Sequence, residues 1–387
     1  MKELSRKTGL LTDSVIRRMT RLSMDCGAVN LSQGFPDFDP PRCVTDRLAE
    51  ISRPGPHQYT PTWGAKNYRQ ALADKVGACM GIPLDPDENI LATVGSTEAM
   101  MASLMALTNP GDKLVLFSPF FENYAAQAVF TDLEPIFVPL DPPRFTFDAD
   151  RLEKAMADPK TKALLLCNPS NPSGRVFTEA ELTVIADLAK RYDVLVITDE
   201  VYEHIVFAPH RHTYIASLPG MWERTVCCSS LSKTYSVTGW RLGYIAANKR
   251  LLDECKKVHD FLTVCAPSPL QEAIIPGLRQ PESYYEEFAA EYTRKRDIMV
   301  QGLRDLGFSF TEPEGTYFMM VDISDFQKGR TDVEFCEELV RKVGVAMVPG
   351  SSFFSEPVGH LARIHFSKKD ETLYEALERL SKIRDKM

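Results

Sequence analysis

Short apolar runs alternate with amphipathic segments along much of the chain. The runs lie at residues 113–118, 135–139, 163–168, 193–198, 224–230 and 242–247. Several are apolar nearly throughout, which is typical of strands covered on both faces. One intervening segment follows a Thr178/Glu181 capping box and carries the apolar stripe Leu182, Ile185, Ala186 and Ala189. This alternation predicts an α/β fold in which a mostly parallel sheet lies between helices.

The pattern changes near residue 270, where long, charged, helical sequence begins. Short strands are predicted after it at residues 316–322, 344–349 and 362–367. These features predict a second, smaller α+β domain beside the large one. The length of 387 residues agrees with this division, because it exceeds what one ordinary core supports. No repeat or low-complexity linker marks the boundary.

Composition narrows the classes of partner. The chain is 44% hydrophobic and 25% charged, as soluble globular proteins are, and its net charge of −8 offers no polyanion-binding surface. Its nine cysteines include no C-x-x-C pair, which favours reduced thiols in a cytoplasm. The N-terminal sequence does not resemble a signal peptide, and no run approaches the roughly 18 apolar residues of a membrane span. We therefore expect a cytoplasmic protein without nucleic-acid or membrane partners.

Polar residues follow several predicted strands at their carboxyl ends, where open parallel sheets bind ligands. Gly95, Ser96 and Thr97 precede an apolar helix, and such a helix N-terminus is either an anion site or a simple cap. Asp199 ends another apolar run, with Tyr202 just beyond it. A carboxylate in that position is costly unless it meets a cation or a hydrogen-bond donor.

Two cations follow the run at 224–230. Lys233 and Arg241 lie close together in sequence beside a predicted core strand, which indicates an anion or an electrophile between them. The "NPSNPSG" turn contributes the amide of Asn171. His210 and His212 could ligate a metal, but without a second pair nearby we expect an exposed loop and no metal. An anion site, a carboxylate, a phenol, an amide and a lysine together match pyridoxal 5′-phosphate.

Longer motifs then give a family resemblance. "NPSNPSG" (168–174), "DEVY" (199–202) and "SSLSKTYSVTGWR" (229–241) occur in order with "LSQGFPDF" (31–38), "SPFFENY" (118–124) and "EGTYFMMVD" (314–322). The chain resembles the class I/II pyridoxal-phosphate aminotransferases of fold type I, in particular the kynurenine/glutamine/methionine aminotransferase branch. The resemblance implies a large cofactor-binding domain over residues 46–283, a small domain made of residues 1–45 and 284–387, and a homodimer.

The resemblance also implies roles for residues around the cofactor ring. Lys233 would hold the cofactor as a Schiff base, and Asp199 would pair with the pyridine nitrogen. Tyr202 and Asn171 would hydrogen-bond the ring oxygen, while Phe121 would stack on the ring. Lys233, Asp199 and Tyr202 would be the catalytic residues.

Further residues would bind the phosphate and the substrate. The phosphate ligands implied by the resemblance are Ser96, Thr97, Ser230, Arg241 and, across the subunit interface, Tyr59. Arg363 would hold the α-carboxylate of the substrate with its planar fork, with Asn171 and the backbone of Gly34 beside it.

The implied reaction is ping-pong transamination between an L-amino acid and a 2-oxo acid. Dicarboxylate-specific members of the family often use a second arginine from the partner subunit. The corresponding segment here, "HDFLTVCAPSP" (259–269), has no arginine and offers Phe261 instead. With Trp63, Phe121 and Tyr124 expected nearby, methionine, glutamine and aromatic or kynurenine-like donors are favoured over aspartate. A C–S β-lyase and an aspartate-type aminotransferase stay open as alternatives. An effector-sensing regulator is disfavoured, because the chain is acidic and shows no appended DNA-binding segment.

Overall fold

The computed structural model describes residues 3–11 and 13–387. Its strands, in chain order, are β1 (Val29–Asn30), β2 (Ile90–Thr93), β3 (Lys113–Ser118), β4 (Glu134–Asp141), β5 (Thr146–Phe147), β6 (Thr161–Cys167), β7 (Leu195–Asp199), β8 (Thr225–Ser230), β9 (Gly243–Ala247), β10 (Ser309–Phe310), β11 (Phe318–Asp322), β12 (Val345–Ala346), β13 (Val348–Pro349) and β14 (Leu361–His365).

The helices surround the sheets that these strands form. In chain order they are α1 (Arg6–Gly9), α2 (Val15–Asp25), α3 (Arg42–Ile51), α4 (Lys66–Met80), α5 (Gly95–Leu107), α6 (Glu122–Phe130), α7 (Ala149–Met156), α8 (Glu179–Arg191), α9 (Lys249–Leu262), α10 (Ser268–Leu278), α11 (Glu282–Asp305), α12 (Ser324–Gln327), α13 (Asp332–Glu338), α14 (Asp370–Leu380) and α15 (Ile383–Lys386). None of these helices in the described part of the chain is long and apolar enough to cross a membrane.

An eight-stranded sheet forms the large layer, in the order β2-β9-β8-β7-β6-β3-β4-β5. Strands β8, β7, β6, β3 and β4 are mutually parallel, whereas β9 is antiparallel to both of its neighbours and β5 to β4. Each of the six apolar runs predicted before residue 250 overlaps a strand of this sheet. The predicted mostly parallel α/β sheet is therefore confirmed.

The apolar runs are nearly continuous because each strand faces a core on both sides. In β6, Leu164 and Leu166 pack into one core, whereas Ala163 and Leu165 pack into the other. Helix α8 covers the first face with the predicted stripe, and it begins at Thr178 with the predicted capping box to Glu181. Helices α5 and α9 cover the opposite face.

The C-terminal part forms a smaller antiparallel sheet, in the order β10-β11-β14-β13. The single strand expected at 344–349 is wrong, because the chain changes partners at Met347. Val345 and Ala346 pair with β1, whereas Val348 and Pro349 pair with β14. This exchange fixes β14 between β11 and β13, with Arg363 opposite Met320 and Val348.

The N-terminal segment joins the C-terminal part in one core. Met19 and Leu31 pack in the same cluster as Met299 and Phe335. The domain boundaries at 45/46 and 283/284 stay a prediction; the second falls in the first turn of α11.

Candidate active site

A cavity of about 810 Å³ opens at the carboxyl ends of β7 and β8. Its lining includes predicted site residues from both sheets and from the N-terminal segment: Gly34, Ser96, Thr97, Phe121, Asn171, Asp199, Tyr202, Ser230, Lys233, Arg241 and Arg363. Tyr59 does not line this cavity, and its side chain is 80% exposed. The structure thus brings together every predicted site residue except Tyr59.

Asp199 is the last residue of β7 and is buried. Its Oδ2 accepts a hydrogen bond from the Tyr124 hydroxyl at 2.6 Å, and its Oδ1 accepts a long one from the Val201 amide at 3.4 Å. Burial raises the pKa of Asp199 to about 6, although these two hydrogen bonds act in the opposite direction. No cation lies within ion-pair distance of it among the described residues. A cationic N–H group would satisfy this carboxylate.

Tyr124 has a position that the sequence analysis did not foresee. We expected it beside the substrate side chain, but it is buried behind Phe121 and donates to Asp199. The two rings meet edge to face, with centroids 5.8 Å apart. Phe121 is the N-cap of α6 and Tyr124 lies in its first turn, so their spacing indicates neighbouring rings, but the hydrogen bond to Asp199 depends on the fold.

Lys233 lies three residues beyond β8 and reaches across to the N-terminal segment. Its Nζ donates to the Gly34 carbonyl oxygen at 3.3 Å, and the ring centroids of Tyr202 and Tyr317 are 5.8 and 5.7 Å away. Within the described part of the chain, no carboxylate forms an ion pair with it. An unpaired, partly buried amine of this kind is suited to nucleophilic and acid–base chemistry.

Tyr202 is a buried phenol beside this amine. Its ring meets those of Tyr317 and Phe318 edge to face, at 5.2 and 5.8 Å. Burial raises the pKa of Tyr202 well above its ordinary value, and the neighbouring Tyr317 raises it further. Tyr202 therefore stays protonated and can donate a hydrogen bond into the cavity.

The opposite end of the cavity is built for an anion. Helix α5 begins at Gly95, with Ser96 and Thr97 in its first turn. A Cβ atom on Gly95, whose φ is +74°, would lie 2.3 Å from Arg241 Nη2, and one on Gly243 would lie 2.4 Å from the Gly95 carbonyl carbon. Both glycines are needed for this close approach. Free helix amides, two hydroxyls and a guanidinium thus converge.

Ser230 and Arg241 are brought to this end by β8 and by the loop that follows it. Ser230 is the buried last residue of β8. Arg241 adopts a left-handed conformation with φ of +55°, directly after a short 3₁₀ turn at Thr238–Trp240. That backbone conformation directs its guanidinium toward Gly95.

Arg363 is fully buried at the centre of β14. Its Nη1 donates to Asn171 Oδ1 at 2.7 Å and its Nη2 to the Ser32 carbonyl at 2.9 Å, but its Nε has no partner. Its guanidinium lies 4.0 Å from the Phe318 ring centroid and 4.6 Å from that of Phe353. Burial lowers its pKa to about 10, so it stays charged, and no described carboxylate pairs with it. Such a guanidinium is suited to bind a carboxylate.

Two aromatic side chains that were expected near the substrate, Trp63 and Phe261, lie outside the cavity lining of the single chain; the expectation for Phe261 concerns the partner subunit and stays a prediction. Trp63 lies outside the cavity lining, where its ring centroid is 4.4 Å from Lys256 Nζ. Phe261 is 94% exposed and also outside the lining. Phe121 does line the cavity, together with the unforeseen Glu122. These differences arise from contacts between segments that are distant in sequence.

The expectation of an exposed histidine loop is also wrong for one of its two residues. The His212 side chain is buried, and its Nε2 lies 3.0 Å from Glu200 Oε2. His210 is partly exposed beside Glu314. Over residues 3–11 and 13–387, no cluster of three or more His, Cys, Asp or Glu side chains could hold a metal ion.

The charged side chains of the cavity determine which ligand it can bind. The buried carboxylate of Asp199 lacks a cation, and Lys233, Arg241 and Arg363 lack carboxylates, as does the exposed Arg17 among the described lining residues. A phosphate fits the glycine-lined turn, a protonated ring nitrogen fits Asp199, and an aldehyde fits the free amine. The residues present therefore fit pyridoxal 5′-phosphate, and the site has the form found in fold type I pyridoxal-phosphate enzymes.

Comparison with known proteins gives the family. A sequence model of the family "Aminotransferase class I and II" matches residues 27–380, so the chain belongs to this family. Members of the family depend on pyridoxal phosphate, and the chain is a pyridoxal-phosphate-dependent transaminase.

Individual relatives agree with this assignment. The chain is 37% identical over 374 residues to a methionine aminotransferase of Escherichia coli, covering 96% of both chains. It is 34% identical over 395 residues to human kynurenine–oxoglutarate transaminase 1, covering 94% of both. The solved structure of N-succinyldiaminopimelate aminotransferase from Mycobacterium tuberculosis matches with a TM-score of 0.94 and 35% identity, over 99% of this chain and 100% of that one. These relatives are named as aminotransferases, so the lyase alternative is not favoured. Their names specify methionine, kynurenine and N-succinyldiaminopimelate rather than aspartate, so the aspartate-type alternative is not favoured by them either.

The buried Asp199 gives a pH-dependent stability prediction for the cofactor-free chain. The pKa of an aspartate in the unfolded chain is about 3.9, whereas burial raises the pKa of folded Asp199 to about 6. The folded chain thus binds the extra proton between these values, and the stability contributed by Asp199 falls as pH rises through this window. Asp199→Asn should raise the free energy of unfolding by about 1–3 kcal/mol at pH 8, with a much smaller gain at pH 4.

Urea unfolding at both pH values measures this difference. Asp46→Asn is the matched control, because Asp46 is exposed on α3 and should change little at either pH. A gain for Asp199→Asn that is equal at pH 4 and pH 8 would contradict the assigned pKa.

Proposed function

We propose that this transaminase holds its cofactor covalently at Lys233, with the ring nitrogen on Asp199 and the phosphate on the turn at Ser96, Thr97, Ser230 and Arg241. The observation that carries the proposal is the set of unpaired charges around one cavity. When bound, pyridoxal phosphate supplies an aldehyde that condenses with amines and a protonated ring that withdraws electrons. Phe121 would pack against that ring, and Tyr202 and Asn171 would contact its oxygen.

The proposed roles of the protein in catalysis follow from these positions. Lys233 is the one lysine among the described lining residues, so the amine that holds the cofactor also moves the proton of the substrate Cα. The Asp199 carboxylate keeps the ring nitrogen protonated by pairing with it. Arg363 and the Gly34 backbone hold the substrate α-carboxylate, which fixes the Cα beside Lys233.

We propose a neutral donor side chain: methionine, glutamine, or an aromatic or kynurenine-like amino acid. Glu122 lines the cavity, accepts a hydrogen bond from the Ser14 hydroxyl, and forms no ion pair with a described residue. A second substrate carboxylate would therefore meet like charge at Glu122, while Arg17, which also lines the cavity, is exposed to solvent that screens its charge. The named substrates of the methionine and kynurenine relatives support this choice.

We also propose that the active unit is a homodimer in which Tyr59 contacts the phosphate of the partner subunit. The segment 59–65 is fixed to its own chain, because Ser268 Oγ accepts from the Thr60 amide at 3.2 Å and Gln271 Oε1 from the Ala65 amide at 2.8 Å. The Tyr59 ring nevertheless stays exposed, as does Phe261. Exposed aromatic rings on an ordered segment are typical of an interface.

The domain division and the compartment belong to the same proposal. The large unit would comprise residues 46–283, and the small unit residues 1–45 and 284–387. All nine cysteines are free thiols, which supports a cytoplasmic setting.

Reductive trapping tests the proposed role of Lys233. Borohydride reduction of the protein loaded with pyridoxal phosphate, followed by peptide mapping, should place the label on Lys233. Lys233→Ala should retain some cofactor through the phosphate contacts but lose transamination by orders of magnitude, because no other lining amine can replace it.

Lys257→Ala is the control, since Lys257 is exposed and pairs with Glu254. It should keep both label and activity. A label on Lys256 or Lys257 instead of Lys233 would refute the assignment.

A donor panel tests the two sides of the substrate site separately. Arg363→Lys should lower kcat/KM for every donor by about 2–4 kcal/mol of transition-state binding, because all donors share the α-carboxylate. Glu122→Gln should instead change selectivity: glutamate should improve relative to methionine by about tenfold, or about 1.4 kcal/mol.

Ser14→Ala provides the matched control, because it removes the hydrogen bond to Glu122 but leaves the charge. It should preserve the ratio of glutamate to methionine. Aspartate as the best donor of the unaltered protein would show that a second cation acts in the site.

Subunit complementation tests the dimer. Lys233→Ala and Tyr59→Ala chains should each be strongly impaired, and their mixture should regain part of the activity, because one of the two composite sites is then intact. The measurement is transaminase rate after subunit exchange. A fully active monomer in sedimentation would exclude the shared site.

A further inference from the structure

His259, on α9, is a fully buried histidine whose two ring nitrogens face acceptors on two different segments. Its Nε2 lies 2.8 Å from the Thr62 carbonyl oxygen, and its Nδ1 lies 3.0 Å from Glu98 Oε1. A carbonyl oxygen only accepts, so Nε2 carries a hydrogen. The contact between Nδ1 and the carboxyl group then requires a second proton, on His259 or on Glu98. The pair therefore holds one shared proton.

Glu98 connects this proton to the anion-binding end of the cavity. It lies in the first turn of α5, directly after Ser96 and Thr97, and it lines the cavity. Its Oε2 accepts from the Val94 amide at 3.0 Å, which fixes the chain just before the turn. A bare carboxylate here would repel a bound phosphate, whereas the shared proton removes that repulsion.

The other contact of His259 holds the segment that carries Tyr59. The Thr62 carbonyl accepts from His259 Nε2, and the neighbouring Trp63 ring lies under Lys256, one turn earlier on α9. The Trp63 carbonyl also accepts from the Ala92 amide at 2.9 Å. Helix α9 thus joins the phosphate turn of this chain to the segment proposed to serve the partner.

Few charges other than Glu98 act on the imidazole. The charge of Asp260, which lies on α9 beside His259, also raises the pKa of His259. The uncharged Thr263 Oγ1 lies 3.3 Å from Nδ1. Strands β2 and β9, which pack against α9, carry no charged side chain. Burial lowers the pKa of His259, but the hydrogen bond and charge of Glu98 outweigh it and raise the pKa above the ordinary value.

We propose that Glu98 and His259 form a proton-holding pair that positions the phosphate-binding turn, so that cofactor affinity depends on the proton they share. The proposal rests on the proposed function, because it assumes that the phosphate binds at Ser96, Thr97 and Arg241. Both residues act through the turn rather than on the reacting atoms. Loss of the proton at high pH leaves a carboxylate beside the phosphate and two facing acceptors between Glu98 and His259.

Glu98→Gln distinguishes the effect of the shared proton from that of the hydrogen bonds. A glutamine can accept from the Val94 amide and donate to Nδ1 of a neutral His259, whose Nε2 still donates to Thr62. Every contact is kept while the shared proton is removed. His259→Leu, in contrast, leaves the Glu98 carboxylate without its partner.

The test is the Kd of the cofactor-free protein for pyridoxal phosphate and for pyridoxal, which lacks the phosphate, measured by absorbance from pH 6.5 to 9.5. For the native protein, the Kd of pyridoxal phosphate should rise with pH through the pKa of the pair. Glu98→Gln should have a similar Kd at pH 7 and a flatter profile. His259→Leu should raise the Kd of pyridoxal phosphate by about tenfold or more and leave that of pyridoxal nearly unchanged.

Three results would overturn the proposal. The first is a pH profile of Glu98→Gln that is the same as the native one. The second is an equal loss of both ligands in His259→Leu, which would make the pair merely structural. The third is a native Kd that is alike for the two ligands, which would also refute the proposed phosphate site. If His259→Leu does not fold, the comparison of Glu98→Gln with the native protein decides alone.

Discussion

The arrangement around the cavity depends on charged side chains that form no ion pairs within the described protein. The Asp199 carboxylate, the Lys233 amine and the guanidinium of Arg363 are all at least partly buried, and none has an ion-pair partner among the described residues. Burial of the charged forms of Asp199 and Arg363 costs free energy, as the raised pKa of Asp199 and the lowered pKa of Arg363 show. A ligand that supplies the missing charges recovers that cost on binding, so affinity and specificity come from the same arrangement.

The fold keeps these groups apart by placing them on separate elements. Asp199 ends β7, Lys233 follows β8 and Arg363 lies in the middle of β14, which belongs to the other sheet. The contact between Lys233 Nζ and the Gly34 carbonyl joins the two parts of the molecule at the cavity itself. Both sheets must therefore be correctly placed for the site to exist, which explains why the site draws on nearly the whole chain.

Much of this arrangement could be predicted from the sequence, because strands and motifs are local. Apolar runs indicated the large sheet, and the motifs around Asp199 and Lys233 indicated the cofactor. What could not be predicted depends on contacts between distant segments. The hydrogen bond from Tyr124 to Asp199, the burial of His212 beside Glu200, and the exchange of strand partners at Met347 each need the folded structure. The order of residues along the chain does not show which distant side chains come into contact.

The most direct test of this account is a crystal structure of the protein with the reduced adduct of pyridoxal phosphate and methionine. That one ligand carries a phosphate, a ring nitrogen and a substrate carboxylate. The account predicts the phosphate against Ser96, Thr97 and Arg241, the ring nitrogen within hydrogen-bond distance of Asp199, and the carboxylate on Arg363. A phosphate bound at Arg363, or a ring nitrogen with no contact to Asp199, would contradict it.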